Sequence, residues 1–339
     1  MAAYKKSDAR AWGLENMHGV ANVIIPTFTS DLKSLNENGI RHDVDKCREY
    51  GFSGTLLVSE VAITLPEYAR FIAVAREKAE PNFHLIHHAA FGTLAENIEA
   101  AKLAEDAGAD FILLGYPANF FATSEQDIYD YTKAFCDATD LGVILFPVPL
   151  WGFERVHPAA MSPELIRRLV KDCPNILCVK AEGGIPTPGG FIQTWRNHSH
   201  EMVVTHPLEQ DAIPLSGILP IQWIGTSNTE FYADTIPRVF KLCREGKFDE
   251  AMDIWWKLHP ARMAHNAAQQ TYAPGARFIN RMMWKYQAWL QGFNGGPLRQ
   301  PTMKVSNANM RLLRDGLKAA GFTPTELPDS EFHVGRNPQ

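Results

Sequence analysis

One lysine in the sequence closes an apolar run. Lys180 follows residues 176–179, which have the length and composition of a buried strand, and two glycines stand shortly after it. In a partly dry pocket a lysine loses hydration, so the pKa of its amine falls and some free amine is left to attack a carbonyl. The alternative is an amine that reaches out to water from the strand end.

Several acid–base side chains also end or follow apolar runs. They are Glu60, His87, His88, Tyr116, Glu182 and His206. Histidine suits proton transfer because its pKa lies near neutral pH. Successive strand residues point to opposite sides, so we expect at most one of His87 and His88 to face a barrel interior. For each histidine a structural hydrogen bond is the alternative role, and for Glu182 it is a solvated loop carboxylate.

The same groups suggest a second kind of site. Glu60, one of the two adjacent histidines, Glu182 and His206 would bind a divalent ion if the fold brought them together. No pair among them has tight ligand spacing, and the first strand lacks the paired histidines of metal-hydrolase barrels. The sequence has neither a GxGxxG nor a GxxxxGK[ST] loop. We therefore expect no metal and no organic cofactor.

The elements that would position these residues repeat along the chain. Short apolar runs alternate with amphipathic stretches, which is the pattern of βα units. The predicted strands are residues 20–26, 54–59, 84–88, 111–114, 142–147, 176–180, 202–205 and 222–225. Eight strands with helices between them predict an α/β fold, a (β/α)8 TIM barrel with a C-terminal helical extension.

Two joints of this pattern are near copies of each other. Residues 49–57 and 106–114 each contain a glycine that can end a helix in the left-handed conformation, followed three residues later by a strand. Open doubly wound sheets use the same joint. The number of strands and the missing phosphate-binding loops favour the barrel.

The predicted domain organisation has four parts. Residues 1–18 are an N-terminal extension, 19–245 the barrel, 246–322 a C-terminal helical subdomain and 323–339 a loosely ordered tail. Late helices are predicted over residues 238–245, 249–268, 276–290 and 306–320. Their aromatic residues and methionines indicate packing against the barrel or against a neighbouring subunit.

Composition excludes several classes of protein. Lys and Arg number 33 against 38 Asp and Glu, and no segment concentrates positive charge, so a nucleic-acid partner is not expected. Charged residues interrupt every apolar run well before the ~18 residues that cross a bilayer. The five scattered cysteines fit buried thiols in a reducing compartment, and residues 1–12 lack a signal-peptide pattern. These features predict a cytoplasmic protein that has no membrane partner.

Landmarks from Gly19 to about Leu313 resemble those of the dihydrodipicolinate synthase and N-acetylneuraminate lyase superfamily of class I aldolases. The matching segments are residues 25–28, 64–65, 107–110, 116–117, 144–149, 176–180 and 295–301. The resemblance implies that Lys180 forms a Schiff base with pyruvate or another 2-oxo acid, which needs no cofactor. It also implies a homodimer or homotetramer.

The chain departs from that family in its carboxylate-binding turn. In place of Gly-Thr-Thr-Gly-Glu it has Leu-Val-Ser-Glu-Val over residues 57–61. Ser59 still offers a hydroxyl and an amide to the substrate, beside Val58, although a packing role for Ser59 is equally open.

A second departure concerns proton transfer and the acceptor. Phe146 replaces the family's proton-relaying Tyr, and a phenyl ring has no ionisable proton. Trp151 stands where related synthases often have a carboxylate-binding Arg. Together with Phe120 and Phe121, these residues suggest an aromatic or apolar aldehyde partner.

The sequence thus predicts a Schiff-base lyase, an aldolase or hydratase-aldolase. Catalytic positions are assigned to Lys180, Phe146, His88 and Glu182. Substrate-binding positions are assigned to Val58, Ser59, Tyr116, Asn119, Trp151, His206 and Gly225. Three alternatives remain open: a sugar-acid dehydratase using the same lysine, a metal-dependent lyase or hydrolase, and a non-catalytic homologue that binds 2-oxo acids.

Overall fold

Eight parallel strands form the central barrel. A computed structural model describes residues 3–270 and 279–339. The strands are β1 (Gly19–Ile24), β2 (Gly54–Leu57), β3 (His84–Ala89), β4 (Phe111–Leu114), β5 (Gly142–Leu145), β6 (Ile176–Lys180), β7 (Val203–Thr205) and β8 (Trp223–Ile224). Their order is β7-β6-β5-β4-β3-β2-β1-β8. At the remaining joint the Thr205 hydroxyl donates to the Trp223 carbonyl at 2.6 Å. The predicted barrel is confirmed.

The strands are buried on both faces, as expected where a helix layer covers a filled barrel. Four of them, β1, β2, β5 and β8, end one or two residues before the predicted position. β1 ends at Ile24 and β5 at Leu145, so Pro26 and Phe146 belong to the loops of the mouth. These loops carry the chemistry of a barrel of this type.

Helices alternate with the strands and continue after the last one. They are α1 (Ala9–Asn16), α2 (Glu37–Glu49), α3 (Leu65–Arg76), α4 (Leu94–Ala107), α5 (Glu125–Asp137), α6 (Pro163–Asp172), α7 (Thr187–His198), α8 (Glu209–Leu215), α9 (Thr235–Arg244), α10 (Phe248–Lys257), α11 (His259–Gln270), α12 (Arg281–Leu290), α13 (Asn307–Ala319) and α14 (Asp329–Val334). Side-chain caps start several of them: Thr64 forms a capping box with Glu67 at α3, and Ser124 forms one with Asp127 at α5. None of the described helices is long and apolar enough to span a bilayer.

The N-terminal extension packs against the end of the barrel opposite the mouth. In α1 the Trp12 ring lies edge-on to Phe111, 6.0 Å between centroids, and to His84. The Gln222 side chain donates to the Leu14 and Met17 carbonyls at 3.0 and 2.8 Å. Residues 3–18 therefore close the floor of the barrel.

The C-terminal helices follow the prediction with two differences. The helix predicted over 249–268 is two helices, because the chain breaks at Leu258 between α10 and α11. Residues 276–278 of the helix predicted over 276–290 lie outside the described residues. Among the large apolar side chains, Met283 and Trp289 are fully buried, whereas Trp256 is 61% exposed.

The last segment is more ordered than the loose tail expected for residues 323–339. Phe332 of α14 is fully buried and packs edge-on against Tyr286. Arg336 donates to the Phe293 and Trp289 carbonyls at 3.0 and 3.1 Å. Prolines interrupt the helical pattern of this segment, but its few anchoring side chains attach it to the core.

A buried lysine ties α12 to the first strand. The Lys285 ammonium donates to the Pro26 carbonyl at 2.6 Å and to the Thr27 hydroxyl. Burial lowers the pKa of Lys285 to about 7, while the negative charge of Asp43 raises it. The C-terminal helices are thereby fixed to the mouth side of the barrel.

A buried ion pair joins α8 to α11, and its disruption is the first test of the fold. Arg262 donates from Nε and Nη2 to the two Glu209 oxygens, each at 2.8 Å, and both side chains are less than a tenth exposed. Arg262→Met leaves a buried carboxylate without its partner, so we expect the free energy of unfolding to fall by about 3–5 kcal/mol. Denaturation in urea measures it.

Arg167→Met serves as the control, because Arg167 pairs with Glu164 on an exposed face of α6. Its free energy of unfolding should stay close to that of the wild type. Equal losses in the two variants would contradict a structural role for the buried pair.

Candidate active site

Lys180 lies at the mouth end of β6 with its amine inside the protein. The side chain is 4% exposed. Its ammonium donates to the Thr226 carbonyl at 2.8 Å and to the Thr226 hydroxyl at 3.3 Å, both neutral acceptors. The Phe146 ring covers the amine, with Nζ 3.9 Å from the ring centroid. The alternative of a lysine reaching out to water is therefore wrong.

The surroundings of Lys180 favour its neutral form. Burial lowers the pKa of the amine to about 8; the negative charge of Glu182 raises it, and the positive charge of Arg281 lowers it. At pH 7 roughly a tenth of such amines are neutral, far more than for a lysine in water. A free amine beside an apolar ring is equipped for nucleophilic attack.

Phe146 and Trp151 form one wall next to the amine. The Trp151 indole N–H donates to the Phe146 carbonyl at 3.1 Å, which fixes the start of the loop after β5. Behind them Phe120 stacks on Tyr116, with 5.0 Å between centroids. This wall is apolar and aromatic, as the sequence suggested, whereas Phe121 is 68% exposed under the Arg155 guanidinium.

Ser59, Glu60, His88 and Arg281 meet at the ends of β2 and β3. The Ser59 amide donates to Nδ1 of His88 at 3.4 Å, and Arg281 of α12 forms an ion pair with Glu60. Burial raises the pKa of Glu60, but the charge and hydrogen bond of Arg281, together with the charges of His88 and Lys180, outweigh this and hold the pKa below its usual value. Burial lowers the pKa of His88 to about 4, so its ring is neutral at pH 7. Val58 is buried at the same turn.

The two adjacent histidines have different surroundings. Nδ1 of His87 lies 3.1 Å from the hydroxyl of Tyr68 on α3, so its ring faces the helix layer. Burial lowers the pKa of His87 to about 3. His88 instead accepts a hydrogen bond from the Ser59 amide at the mouth, and the charge of Glu60 raises its pKa. The expectation that at most one of them faces the interior agrees with this placement, and His88 is that one.

Two positions assigned to substrate binding after β4 point elsewhere. The Tyr116 hydroxyl is 2.7 Å from the Thr132 hydroxyl of α5, so it faces the helix layer and not Lys180. Asn119 lies in an exposed loop. Tyr116 lies two residues beyond the end of β4, where strand alternation no longer fixes the direction of a side chain.

The ends of β6, β7 and β8 complete the mouth. His206 is buried, with Nε2 3.9 Å from the nearest Asp211 oxygen, and burial lowers its pKa. Burial raises the pKa of Glu182, whereas the charge of Lys180 lowers it. Gly225 precedes Thr226, and a Cβ there would lie 2.4 Å from the Trp223 ring, so glycine is required for space.

Two residues of the site were not found by sequence reasoning. Thr226 accepts a hydrogen bond from the Lys180 amine. It directly follows the predicted strand 222–225, so its position one residue beyond a strand end is the signal that marks it. Arg281 comes from a helix of the C-terminal subdomain. No strand pattern marks it, and its position depends on how that subdomain packs.

The proposed metal ligands do not form a metal site. Glu60 is paired with Arg281, and His87 faces the helix layer. Within residues 3–270 and 279–339, no three His, Cys, Asp or Glu side chains are arranged to hold a metal ion.

Comparisons with known proteins agree with this fold. Residues 31–320 match the Dihydrodipicolinate synthetase family. The chain is 23% identical over 314 residues to a 4-hydroxy-tetrahydrodipicolinate synthase of Methanopyrus kandleri, covering 91% of this chain and 98% of the relative. It is 30% identical over 167 residues to a probable 5-dehydro-4-deoxyglucarate dehydratase of Rhizobium meliloti, covering 48% of this chain and 51% of the relative.

A solved structure extends the comparison to the fold. The crystal structure of dihydrodipicolinate synthase from Aquifex aeolicus superposes with a TM-score of 0.76 at 17% identity. The match covers 91% of this chain and all of that chain. At this identity the superposition supports the barrel and its C-terminal helices.

Tyr68 connects the two strands that carry Ser59 and His88, which gives a second test. Its hydroxyl donates to the Leu57 carbonyl at 2.6 Å and accepts from the His88 amide at 2.9 Å. Tyr68→Phe leaves these two buried groups without their partner, so we expect a loss of about 1–3 kcal/mol in the free energy of unfolding. Hydrogen exchange at the His88 amide should accelerate, measured by NMR or mass spectrometry.

Tyr131→Phe is the matched control, because the Tyr131 hydroxyl accepts from the Asn97 side chain, away from β2 and β3. Exchange at His88 should be unchanged in this variant. Unchanged exchange in Tyr68→Phe as well would show that the hydroxyl does not hold the strand ends together.

Proposed function

The chain belongs to the dihydrodipicolinate synthetase family of lyases, and from this we propose that Lys180 forms a Schiff base with pyruvate or another 2-oxo acid. The observation that carries the proposal is the buried Lys180 amine, held by the neutral oxygens of Thr226. A lysine held in an ion pair would stay charged, whereas here burial lowers the pKa of the amine to about 8.

The chemistry follows from the free amine. Its nitrogen bonds to the ketone carbon, and the former carbonyl oxygen takes one proton from the nitrogen and one from a neighbouring acid and leaves as water, which gives an iminium. The iminium draws electrons from the neighbouring carbon, so a C–C bond there can break or form. Phe146 supplies no proton, and Glu182 and His88 are the neighbouring groups that we assign to proton transfer.

Glu182 is the stronger candidate of the two. Burial raises the pKa of its carboxyl, so it can hold and release a proton closer to neutral pH. Of the charged neighbours of Lys180, it has the largest effect on the amine. His88 is neutral at pH 7 and can accept a proton on the side of Ser59.

The aromatic wall supports the choice of aldehyde. The Phe146 ring lies next to the amine, Trp151 donates to the Phe146 carbonyl, and Phe120 stacks on Tyr116 behind them. We therefore propose aldol cleavage or condensation, or hydration coupled to cleavage, with an aromatic or apolar aldehyde as partner.

Dehydration of a sugar-derived 2-oxo acid is the second candidate. It is favoured by the similarity of about half the chain to the probable 5-dehydro-4-deoxyglucarate dehydratase. The two reactions differ in their products, because cleavage releases an aldehyde and dehydration keeps the carbon chain whole. Incubation with aromatic aldol adducts of pyruvate and with sugar-derived 2-oxo acids distinguishes them by mass spectrometry.

Reductive trapping tests the nucleophile. With pyruvate and sodium borohydride we expect one covalent adduct per chain, on the peptide that contains Lys180, because reduction fixes the iminium. Lys180→Met should abolish the adduct and the lyase activity. The wild-type peptide that contains Lys285, another buried lysine with a lowered pKa, is the internal control and should carry no label. A label on Lys285, or full activity in Lys180→Met, would refute the assignment.

The pH dependence of trapping is a separate prediction. Because only the neutral amine attacks, the trapping rate should rise with pH and reach its midpoint near the Lys180 pKa of about 8. Glu182→Gln removes a negative charge that raises this pKa, so its midpoint should move to lower pH. Stopped reactions between pH 6 and 10 measure it; a midpoint near 10.5, the value of a lysine in water, would contradict the role of burial.

A further inference from the structure

Arg281 is an arginine with unused hydrogen-bonding capacity inside the protein. Its side chain is 6% exposed, and it pairs through Nη2 with Glu60. Its Nε is buried and has no hydrogen-bond partner among the described residues. The guanidinium lies over the Trp284 ring, 4.6 Å from the centroid. A buried N–H of a charged group without an acceptor costs free energy unless a ligand supplies one.

The hydroxyl of Ser59, the residue before Glu60, is a second donor without an acceptor in the described ranges. The Ser59 hydroxyl is buried and likewise lacks a partner in the part of the chain that the structure describes. Ser59 immediately precedes Glu60, the residue that Arg281 contacts, and its amide is directed to His88. Two unsatisfied donors of this type complement an acceptor with two oxygens, such as a carboxylate.

The charge distribution fits an anion whose ketone reaches Lys180. The positive charge of Arg281 lowers the pKa of both Lys180 and His88, which shows that these groups share one electrostatic environment. Glu60 uses some of the N–H donors of the Arg281 guanidinium. An arginine has five such donors and can therefore bind two carboxylates at once.

We propose that Arg281, together with the Ser59 hydroxyl, binds the carboxylate of the 2-oxo acid whose ketone carbon is attacked by Lys180. The inference rests on the proposed function. In this site an arginine from the C-terminal helix α12 takes the place of the glycines and threonine that the turn over residues 57–61 lacks. Glu60 holds the guanidinium in position and, as an anion, weakens its attraction for a second carboxylate.

The experiment compares two probes of similar shape, of which only one carries the negative charge and the second acceptor oxygen of a carboxylate. Pyruvate carries the carboxylate, and pyruvamide has a neutral amide in its place. For each, the concentration that gives half-maximal borohydride labelling of Lys180 is measured. In the wild type we expect pyruvate to label at a concentration roughly 10- to 100-fold lower, the range for a hydrogen bond to a charged group.

Arg281→Gln should remove this preference. Loss of its charge raises the Lys180 pKa and shifts both concentrations alike, and the pyruvate concentration should rise further than this common shift. Arg281→Lys, which keeps the charge but not the planar fork, should give an intermediate ratio. Arg155→Gln is the matched control. It removes one positive charge from an exposed residue in the loops after β5, so the wild-type ratio should persist.

Glu60→Gln gives a result in the opposite direction and does not depend on whether Arg281→Gln folds. It keeps an acceptor for the guanidinium and removes the competing charge, so the pyruvate concentration should fall by more than the pyruvamide concentration, which reports only the change in the Lys180 pKa. An unchanged ratio in Arg281→Gln, or equal shifts for both probes in Glu60→Gln, would overturn the carboxylate site. Absence of any Lys180 label in the wild type would instead refute the proposed function.

Discussion

The end of β6 holds an amine that water does not reach. Burial is the largest influence on the pKa of Lys180 and disfavours its ammonium form. The groups bonded to the amine are neutral: a carbonyl and a hydroxyl of Thr226 accept its hydrogen bonds, and a phenyl ring lies over it. A carboxylate bonded directly to the amine would have kept it protonated. The proposed role of Lys180 as a nucleophile therefore depends on its burial away from water and, among the described residues, on the absence of a directly bonded carboxylate, as much as on the neutral acceptors of Thr226.

The barrel and this lysine follow from local patterns. Eight apolar runs that alternate with amphipathic stretches predict the strands, and the strand that ends in Lys180 predicts the position of the amine. Local rules also allowed at most one of His87 and His88 to face the interior. These predictions succeed because each depends on residues within a single strand and its neighbours.

The remaining features depend on long-range packing. Arg281 reaches Glu60 across 221 positions of sequence, and α14 inserts Phe332 beside Tyr286. The pattern of apolar and polar residues around these four side chains does not indicate which residues they contact. The direction of the Tyr116 hydroxyl is set by the Thr132 hydroxyl on α5, which a strand pattern does not reveal. Sequence reasoning thus located Lys180, the proposed nucleophile, but missed the part of its environment that the C-terminal helices supply.

Arg281 and Lys285 lie one helical turn apart on α12 and both reach into the protein. Lys285 is bonded to the Pro26 carbonyl beyond β1, so the helix that presents Arg281 to Glu60 is anchored to the barrel itself. The C-terminal helices are consequently part of the electrostatics of the mouth and not a separate covering.

The N-terminal helix has a consequence for how reactants come and go. Trp12 packs against Phe111 and His84, and the Gln222 side chain is bonded to the backbone of α1. These contacts close the end of the barrel opposite the mouth. A ketone that condenses with Lys180 expels one molecule of water, and that molecule must depart by the same route through which the ketone arrived. The ketone enters and the water leaves through the barrel mouth. A bulky aldehyde that fills the mouth would therefore hold the expelled water next to the iminium bond.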